Sequence, residues 1–265
     1  MAPRSISTVV IAGAGNLGSH LARVFRRKGL TVLQVFDRLP SKARSLARET
    51  GCGFVSVPER VISGADLYLL TLSDSAIVSV AGALKIGHGL VVHCSGSVPM
   101  RILEGCSENY GVFYPLQTFS ASRPVSFKST PICIEAGNNE SRKRLMALAR
   151  KISDKVHPID TRQRAILHLT AVFANNFTNF MYTAAEGILR EAGIPFSLLG
   201  PIILQTAASA KTGSVFIQQT GPAVRGDLEV LEKHRQLLIR FPEFLELYDL
   251  ISQNIINYKN LHGKL

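Results

Sequence analysis

The sequence predicts a doubly wound α/β domain at the N-terminus followed by an all-α C-terminal domain, and three observations support this prediction. Short apolar runs alternate with amphipathic stretches over the first part of the chain. The first of these runs ends in a glycine-rich turn that leads directly into a helical pattern. From residue 161 onwards the pattern is helical almost throughout. We therefore expect one domain over residues 1–157 and a second over residues 158–265.

The predicted strands of the first domain are short, rich in β-branched residues and bounded by turn residues. They fall at 8–13, 31–37, 53–56, 66–72, 90–95, 111–114 and 131–135. A last edge strand is expected at 155–159, after a helix over 140–152 that Asn138, Asn139 or Ser141 can cap. Helical patterns between most of the strands indicate a parallel sheet covered on both faces.

The second domain is predicted to consist of helices over 161–191, 196–210, 227–240 and 242–261. The first of these ends before Gly193 and Pro195. It is too long and too apolar to lie alone in solvent. We expect it to pack against other helices or against a second subunit.

Composition excludes several classes of protein. We find no run of about 18 apolar residues that could span a bilayer, and the N-terminal sequence lacks the apolar core of a signal peptide. A cytoplasmic protein without membrane contact is therefore expected. The four cysteines are scattered without a C-x-x-C pair, which favours reduced thiols and no metal site: Cys52, Cys94, Cys106 and Cys133.

The chain is basic, with a formal net charge of +11 and a sequence pI near 9.8. Basic residues dispersed along the sequence, together with the absence of tryptophan, disfavour nucleic acid as a partner. A positive field equally suits a phosphorylated dinucleotide and an anionic small-molecule substrate.

The glycine-rich turn matches the dinucleotide-binding pattern G-x-G-x-x-G in its required place between a strand and a helix. The residues predicted to hold the cofactor here are Gly13, Gly15, Asn16, Leu17 and Gly18. Backbone N–H groups at the start of the helix would face the pyrophosphate. The next strand ends in Asp37, close to the distance from the motif at which a carboxylate binds the ribose.

The choice between NAD and NADP stays open. The Asp37 carboxylate can accept hydrogen bonds from both ribose hydroxyls of NAD but would repel a 2′-phosphate. Arg38, with Ser41 and Lys42 nearby, could instead hold that phosphate. We favour NADP slightly, because the cationic groups outnumber the single acid.

Ligands in doubly wound sheets bind beyond the carboxyl ends of the strands, which makes the turns after the strands candidate sites. The turn after the fourth strand contains Leu72, Ser73 and Asp74, which could line the cofactor path or cap the next helix. After the fifth strand, Ser95 could contact both cofactor and substrate, and Ser97 could contact substrate. The turn after the next strand offers Gln117 as a further substrate contact.

The long helix carries His168, Asn175 and Asn179, which 3.6 residues per turn would place on one face. We predict that His168 donates a proton, Asn175 orients the reacting group and Asn179 contacts substrate. A hydrogen-bond network inside the helical bundle is the alternative. Arg225, in a Gly- and Pro-rich loop before a helix that Asp227 caps, is a candidate clamp for a carboxylate.

Taken together, these motifs resemble a family of Rossmann-fold NADP oxidoreductases with a C-terminal helical domain of unknown function. The family is similar in layout to pyrroline-5-carboxylate reductase and to the 3-hydroxyisobutyrate and 6-phosphogluconate dehydrogenases. The resemblance implies a homodimer formed through the helical domain. It also shows two departures, because His168 lies where the dehydrogenases carry a lysine, and Tyr114 precedes the Pro-Leu-Gln-Thr-Phe segment where the family has histidine.

The leading interpretation is an NAD(P)-dependent reductase or dehydrogenase that transfers hydride between nicotinamide and a small C=N or C=O substrate bearing a carboxylate. The alternative is a non-catalytic dinucleotide-binding regulator or scaffold. A deazaflavin in place of the nicotinamide stays open as a variant of the enzyme interpretation.

Overall fold

A computed structural model describes residues 5–121, 123, 125–213 and 215–263 of the chain. It divides into two compact units, of which the first ends at Val172 and the second begins at Phe173. The domain boundary near residue 158, placed at the end of the last strand, stays a prediction.

The first unit contains one eight-stranded sheet, which confirms the predicted doubly wound architecture. Its strands are β1 (Thr8–Ala12), β2 (Thr31–Phe36), β3 (Gly53–Val55), β4 (Leu67–Leu70), β5 (Leu90–His93), β6 (Tyr110–Pro115), β7 (Ile132–Ala136) and β8 (Val156–Pro158). They are ordered β3-β2-β1-β4-β5-β6-β7-β8. The first six run parallel, so β1, β2, β4, β5 and β6 all end at the same edge of the sheet.

The expectation of a parallel sheet is wrong for the last two strands. β7 pairs antiparallel with β6, and β8 runs parallel to β7. The described residues between β6 and β7 form no α-helix, only the short 3₁₀ turn Phe127–Ser129. A parallel return would require a crossover to the other edge, usually through a helix.

Helices cover both faces of the sheet because side chains alternate along the buried strands. α1 (Asn16–Arg27) and α2 (Pro40–Thr50) pack on the face that carries Val9 and Ile11 of β1. α3 (Asp74–Ala83) packs on the opposite face, and α4 (Asn139–Ile152) joins α1 and α2 on theirs. The Asn138 side chain caps α4 by accepting a 2.8 Å hydrogen bond from the Ser141 N–H.

Exposed basic side chains are concentrated on the face covered by α1, α2 and α4. They are Arg23, Arg26, Arg27, Lys28, Lys42, Arg44, Arg48, Arg142, Lys143, Arg150 and Lys151. The acidic residues of the same three helices are Glu49 and Glu140. Part of the positive charge that is dispersed along the sequence therefore lies on the helices of one face of the sheet.

The long helical stretch is interrupted within its length. α5 (Thr161–Ala171) begins with a capping box between Asp160 and Gln163. It leads into a π-helical segment, Val172–Phe177, and then into α6 (Thr178–Glu191). Since π-helical hydrogen bonds run from residue i to i+5, the constant spacing that aligned the three polar residues does not hold here.

The second unit is helical, which confirms the predicted all-α C-terminal region. After α6 it contains α7 (Gly200–Ser209), α8 (Pro222–Arg225), α9 (Leu228–Leu238) and α10 (Pro242–His262). The expected loop before α9 thus contains a short helix that ends at Arg225. Asp227 caps α9, as predicted, through a 3.3 Å hydrogen bond from the Val230 N–H. None of the helices in the described residues combines the length and apolar character that crossing a membrane requires.

Candidate functional site

The glycine turn between β1 and α1 uses its three glycines in different ways. Gly13 has φ +110°, and a Cβ there would lie 2.5 Å from the Thr71 carbonyl oxygen. A Cβ on Gly18 would overlap the Gly13 carbonyl oxygen. A Cβ on Gly15 would meet nothing within 4 Å. The first and third glycines therefore permit close packing, whereas the second lies beside open space at the start of α1.

Thr71 supports this turn, a structural role that was not predicted from the sequence. Its hydroxyl lies 2.8 Å from the Gly13 carbonyl oxygen and 3.2 Å from that of Ala12. A threonine directly after an apolar strand that neighbours β1 was the available signal. Thr71 fixes the turn from the adjacent strand end.

Asp37 lies at the end of β2 and is turned toward the glycine turn. One carboxylate oxygen accepts a 2.8 Å hydrogen bond from the Ala14 N–H, and the other accepts one of 2.9 Å from the Leu39 N–H. Arg38, next to it, is exposed. Asp37 thus has a visible structural role, and its contact with a ribose stays a prediction.

Two other residues of the motif also have local structural roles. The Asn16 side-chain amide donates a 3.0 Å hydrogen bond to the Phe119 carbonyl, which holds the segment after β6 against α1. Leu17 is partly buried against the hydrophobic core. Their contribution to a cofactor site would come from backbone groups at the helix start.

A cavity of about 250 Å³ lies between the glycine turn, α1 and α2. Its lining includes backbone and polar or charged side chains: Ala14, Gly15, Asn16, Ser19, His20, Arg23, Lys42, Ser45 and Glu49. Arg23 and Glu49 form a bidentate ion pair with distances of 2.5 and 2.8 Å. The Lys42 backbone N–H donates a 3.0 Å hydrogen bond to the Leu39 carbonyl, and its side chain is exposed.

The turn after β5 gathers three predicted residues. Ser95 Oγ accepts hydrogen bonds from the Ser97 and Val98 N–H groups at 3.1 and 3.0 Å. The Ser97 hydroxyl in turn donates to the Asp74 carboxylate at the start of α3. These hydroxyls therefore stabilise their own turn, and their contact with cofactor or substrate stays a prediction. Ser73 lies at the N-cap of α3 without a side-chain bond, and Leu72 is partly buried against the core.

His93 is fully buried at the end of β5. Its Nδ1 accepts a 3.2 Å hydrogen bond from the Ser95 N–H, so the ring proton lies on Nε2 in the neutral imidazole. Burial lowers the pKa of His93 to about 4, with a contribution from the Arg164 charge. The Asp74 carboxylate and the Pro99 carbonyl oppose this shift only partly. His93 is therefore a neutral structural group at physiological pH.

Tyr114, near the carboxyl end of β6, and His168 on α5 form a hydrogen-bonded pair. The Tyr114 hydroxyl lies 3.1 Å from His168 Nδ1, and the two rings meet edge to face. A Cβ on Gly96 would lie 2.5 Å from the His168 ring, so the imidazole lies directly against the turn after β5. The pair thus lies on the strand-end side of the sheet that also carries the glycine turn.

The environment of Tyr114 keeps its hydroxyl proton in place. Burial raises the pKa of Tyr114, as does nearby Cys133, while Arg164 opposes the shift. The phenol is therefore protonated near neutral pH, and its hydroxyl can donate a hydrogen bond to His168 Nδ1 or accept one from it. When the phenol donates, the ring proton of a neutral imidazole lies on Nε2, which has no hydrogen bond to the described residues.

Arg164 is a buried charge that was also missed at the sequence level. Its Nε donates a 3.1 Å hydrogen bond to Glu135, and its Nη1 donates one of 2.9 Å to the Ser95 carbonyl. Glu135 also accepts a hydrogen bond from the Thr161 hydroxyl. A glutamate within the apolar strand β7 was the available signal, because a buried carboxylate requires a partner.

The remaining predicted residues lie apart from this cluster or in the second unit. Gln117 is exposed, and its side-chain oxygen accepts a 2.8 Å hydrogen bond from the Thr118 N–H. In the second unit, Asn175 and Asn179 are exposed on the π-helical segment and α6, and Arg225 is exposed at the end of α8. Their substrate roles stay predictions.

Comparisons with known proteins agree with this geometry. One family model, described as NADP oxidoreductase coenzyme F420-dependent, matches residues 8–96, and a domain of unknown function, DUF2520, matches residues 130–255. A solved Bacteroides fragilis protein described as a "putative NADP oxidoreductase" is 39% identical, with 95% of this chain and 98% of that chain covered and a TM-score of 0.88. This chain belongs to that NADP oxidoreductase family. The predicted resemblance is therefore confirmed.

More distant structures share the fold of this family member. An imine reductase from Myxococcus stipitatus, solved in complex with NADP⁺, is 17% identical over 96% of this chain and 95% of its own, with a TM-score of 0.66. A 1-pyrroline-5-carboxylate reductase from Streptococcus pyogenes is 13% identical over 94% and 98%, with a TM-score of 0.64. No protein with a curated description matches the chain.

Proposed function

We propose that this family member is an NADP(H)-dependent oxidoreductase acting on a small C=N or C=O compound, with Tyr114 and His168 as its proton-transfer pair. The observation that carries the proposal is the 3.1 Å distance between the Tyr114 hydroxyl, near the carboxyl end of β6, and His168 Nδ1. The glycine turn lies at the end of the parallel strand β1, on the same edge. Ligands of doubly wound sheets bind along this edge.

The residues at the glycine turn fit a dinucleotide. Open space above Gly15 and the N-terminus of α1 suit a pyrophosphate. Arg38, Lys42 and Ser45 offer hydrogen-bond donors for a 2′-phosphate, and the 250 Å³ cavity lies beside Lys42 and Ser45. We therefore favour NADP over NAD. The Asp37 carboxylate already accepts hydrogen bonds from two backbone N–H groups. When bound, the nicotinamide supplies or accepts the hydride.

His168 would supply the proton that the substrate nitrogen or oxygen needs on reduction. With the phenol of Tyr114 donating to Nδ1, the Nε2–H of His168 is the group available to donate. Tyr114 orients the ring and fixes the tautomer, while Gly96 gives the ring a flat surface to lie on. Such positioning commonly contributes 10²–10⁴-fold in general acid catalysis.

The charges around this pair bear on the expected substrate carboxylate. Within the first unit, Arg164 already pairs with Glu135, and the Asp74 carboxylate lies beside Ser97. We propose the exposed guanidinium of Arg225, at the end of α8, as a candidate partner for a substrate carboxylate. If so, Arg225→Ala raises KM for a 2-oxo acid or a cyclic imino acid but leaves KM for the uncharged analogue unchanged.

The test combines cofactor binding with turnover. We expect NADPH to raise the melting temperature more than NADH does, since ligand at about 100 times Kd stabilises a protein by roughly 2.7 kcal/mol. A panel of cyclic imines, aldehydes and 2-oxo acids is then assayed by NADPH absorbance. Tyr114→Phe and His168→Gln should lower kcat with little change in the Kd of NADPH. Tight NADPH binding without turnover across the panel would support the regulator alternative instead.

We also propose that the second unit mediates a homodimer. It exposes large apolar side chains over most of its length: Phe173, Phe177, Phe180, Leu198, Ile202, Leu204, Val215 and Ile217. Exposed apolar surface of this extent usually marks an interface. Analytical ultracentrifugation should give twice the chain mass of 28.8 kDa, and a monomer at micromolar concentration contradicts the proposal.

A further inference from the structure

Arg164 links three parts of the first unit although it has no exposed surface. From α5 its guanidinium reaches Glu135 on β7 and the Ser95 carbonyl in the turn after β5. Glu135 is also bonded to Thr161 in the first turn of α5. One side chain thus connects the helix, the last part of the sheet and the turn.

Stability alone does not account for this buried ion pair. Removing two charges from water opposes folding, and well-packed apolar residues of similar volume are often as stabilising as a buried ion pair. What a guanidinium provides beyond packing is direction, because its donors are fixed in one plane and can hold two acceptors at once. The pair is therefore better suited to fixing geometry than to adding stability.

The geometry that it fixes is that of the Tyr114–His168 pair. His168 lies one helical turn beyond Arg164 on α5 and therefore on the same side of the helix. Ser95 immediately precedes Gly96, the residue against which the His168 ring lies. Tyr114 on β6 lies opposite Cys133 on the neighbouring strand β7. Cys133 and Glu135 are two positions apart, so their side chains lie on the same side of β7.

We propose that Arg164, held by Glu135, is the positioning residue that sets the contact of His168 with Tyr114 and Gly96. It touches neither the Tyr114 hydroxyl nor the His168 ring in the described contacts, and it acts by fixing the helix and the turn that carry the pair. Its use in turnover rests on the proposed function, whereas its effect on the hydrogen bond does not.

The experiment compares Arg164→Met, Arg164→Lys and Glu135→Gln with the matched control Arg162→Met, an exposed position on the same helix. Full-length protein is labelled with ¹⁵N-histidine and studied with and without NADPH. The ring nitrogen shifts of His168, assigned with His168→Gln, report its tautomer. Absorbance titration, compared with Tyr114→Phe, reports the ionisation of Tyr114.

We expect Arg164→Met to average the two His168 tautomers and to shift the Tyr114 titration upward, because the guanidinium charge is lost. Arg164→Lys should restore the Tyr114 titration but not the single tautomer, since one ammonium cannot hold both acceptors in plane. Glu135→Gln should disturb the tautomer, and Arg162→Met should change neither signal. If a substrate is identified, kcat should fall on the order of 10–100-fold for Arg164→Lys while the Kd of NADPH is kept.

A single His168 tautomer in folded Arg164→Lys and Glu135→Gln would overturn the proposal, whatever Arg164→Met does. This result is distinct from failure of the proposed function. Absence of turnover on every substrate, with the tautomer still lost in these variants, would reject the enzyme while leaving the positioning role of Arg164 intact.

Discussion

The second and third glycines of the turn should respond to alanine in opposite ways. At Gly15 an added Cβ meets nothing within 4 Å, whereas at Gly18 it overlaps the Gly13 carbonyl oxygen and crowds the Thr71 hydroxyl. Gly15→Ala should therefore leave the fold intact and impair cofactor binding. Gly18→Ala should destabilise the protein itself.

The structure sets the size of each effect. Forcing an extra methyl into packed surroundings costs about 1–3 kcal/mol, and backbone atoms at Gly18 can yield little. With about 2–4 °C lost per kcal/mol in a chain of this size class, Gly18→Ala should melt roughly 2–12 °C lower. At Gly15, φ is negative, so the change in stability should stay within about 1 kcal/mol. A methyl group at the position that a pyrophosphate must approach should weaken NADPH binding at least tenfold, which corresponds to about 1.4 kcal/mol.

Thermal melting without ligand gives the first quantity, and calorimetric titration with NADPH gives the second. Gly64→Ala is not a suitable control, because its φ is positive; Gly82→Ala in α3, with nothing within 4 Å, is the matched variant. Equal NADPH affinity of Gly15→Ala and the parent protein would refute the reasoning. So would a Gly18→Ala variant that melts at the parent temperature.

Three further predictions concern pH, cofactor choice and folding. The pKa of His93 is depressed from its usual 6.5 to about 4, so the folded protein binds a proton less readily than the unfolded chain does. The free energy of unfolding that His93 contributes should therefore be complete above pH 6.5 and be lost as the pH falls toward 4. In urea unfolding across this range, His93→Asn should lose about 3 kcal/mol less stability than the parent protein. Asp37→Asn removes a negative charge near the proposed 2′-phosphate site, so the ratio of NADH to NADPH dissociation constants should rise several-fold in paired titrations, and an unchanged ratio argues against phosphate there. Asn138→Ala removes the cap of α4 and should cost about 1 kcal/mol in urea unfolding, whereas no loss would show that water replaces the cap.

The sequence was sufficient for most of the fold because the deciding signals were local. Each strand from β1 to β8 overlaps a predicted run, and the glycine turn and the caps at Asn138 and Asp227 occur where the motifs place them. Periodicity and capping depend on residues a few positions apart. A single chain read by itself contains that information.

The features that were not predicted from the sequence depend on interactions between distant residues or on small changes in helix geometry. β7 runs antiparallel to β6 because the connection between them contains no α-helix in the described residues. The apolar run that predicts β7 does not show the direction of the strand. The π-helical segment Val172–Phe177 has no composition signature of its own, and it removed the constant spacing that placed Asn175 on the face of His168. Arg164 and Glu135 are 29 residues apart, so only the folded sheet shows them as partners.

The structure also bears on Tyr114, which stands where the resemblance leads one to expect histidine. A substitution that removed a catalytic group would leave an apolar side chain or an unpaired partner. Tyr114 instead directs its hydroxyl to His168 Nδ1, with a phenol that stays protonated because burial raises its pKa. A neutral imidazole in that place would have to offer an N–H to the same atom, and its tautomer would depend on its other nitrogen. A tyrosine hydroxyl can donate or accept and so can pair with either tautomer of His168, which makes the substitution compatible with a working proton-transfer pair.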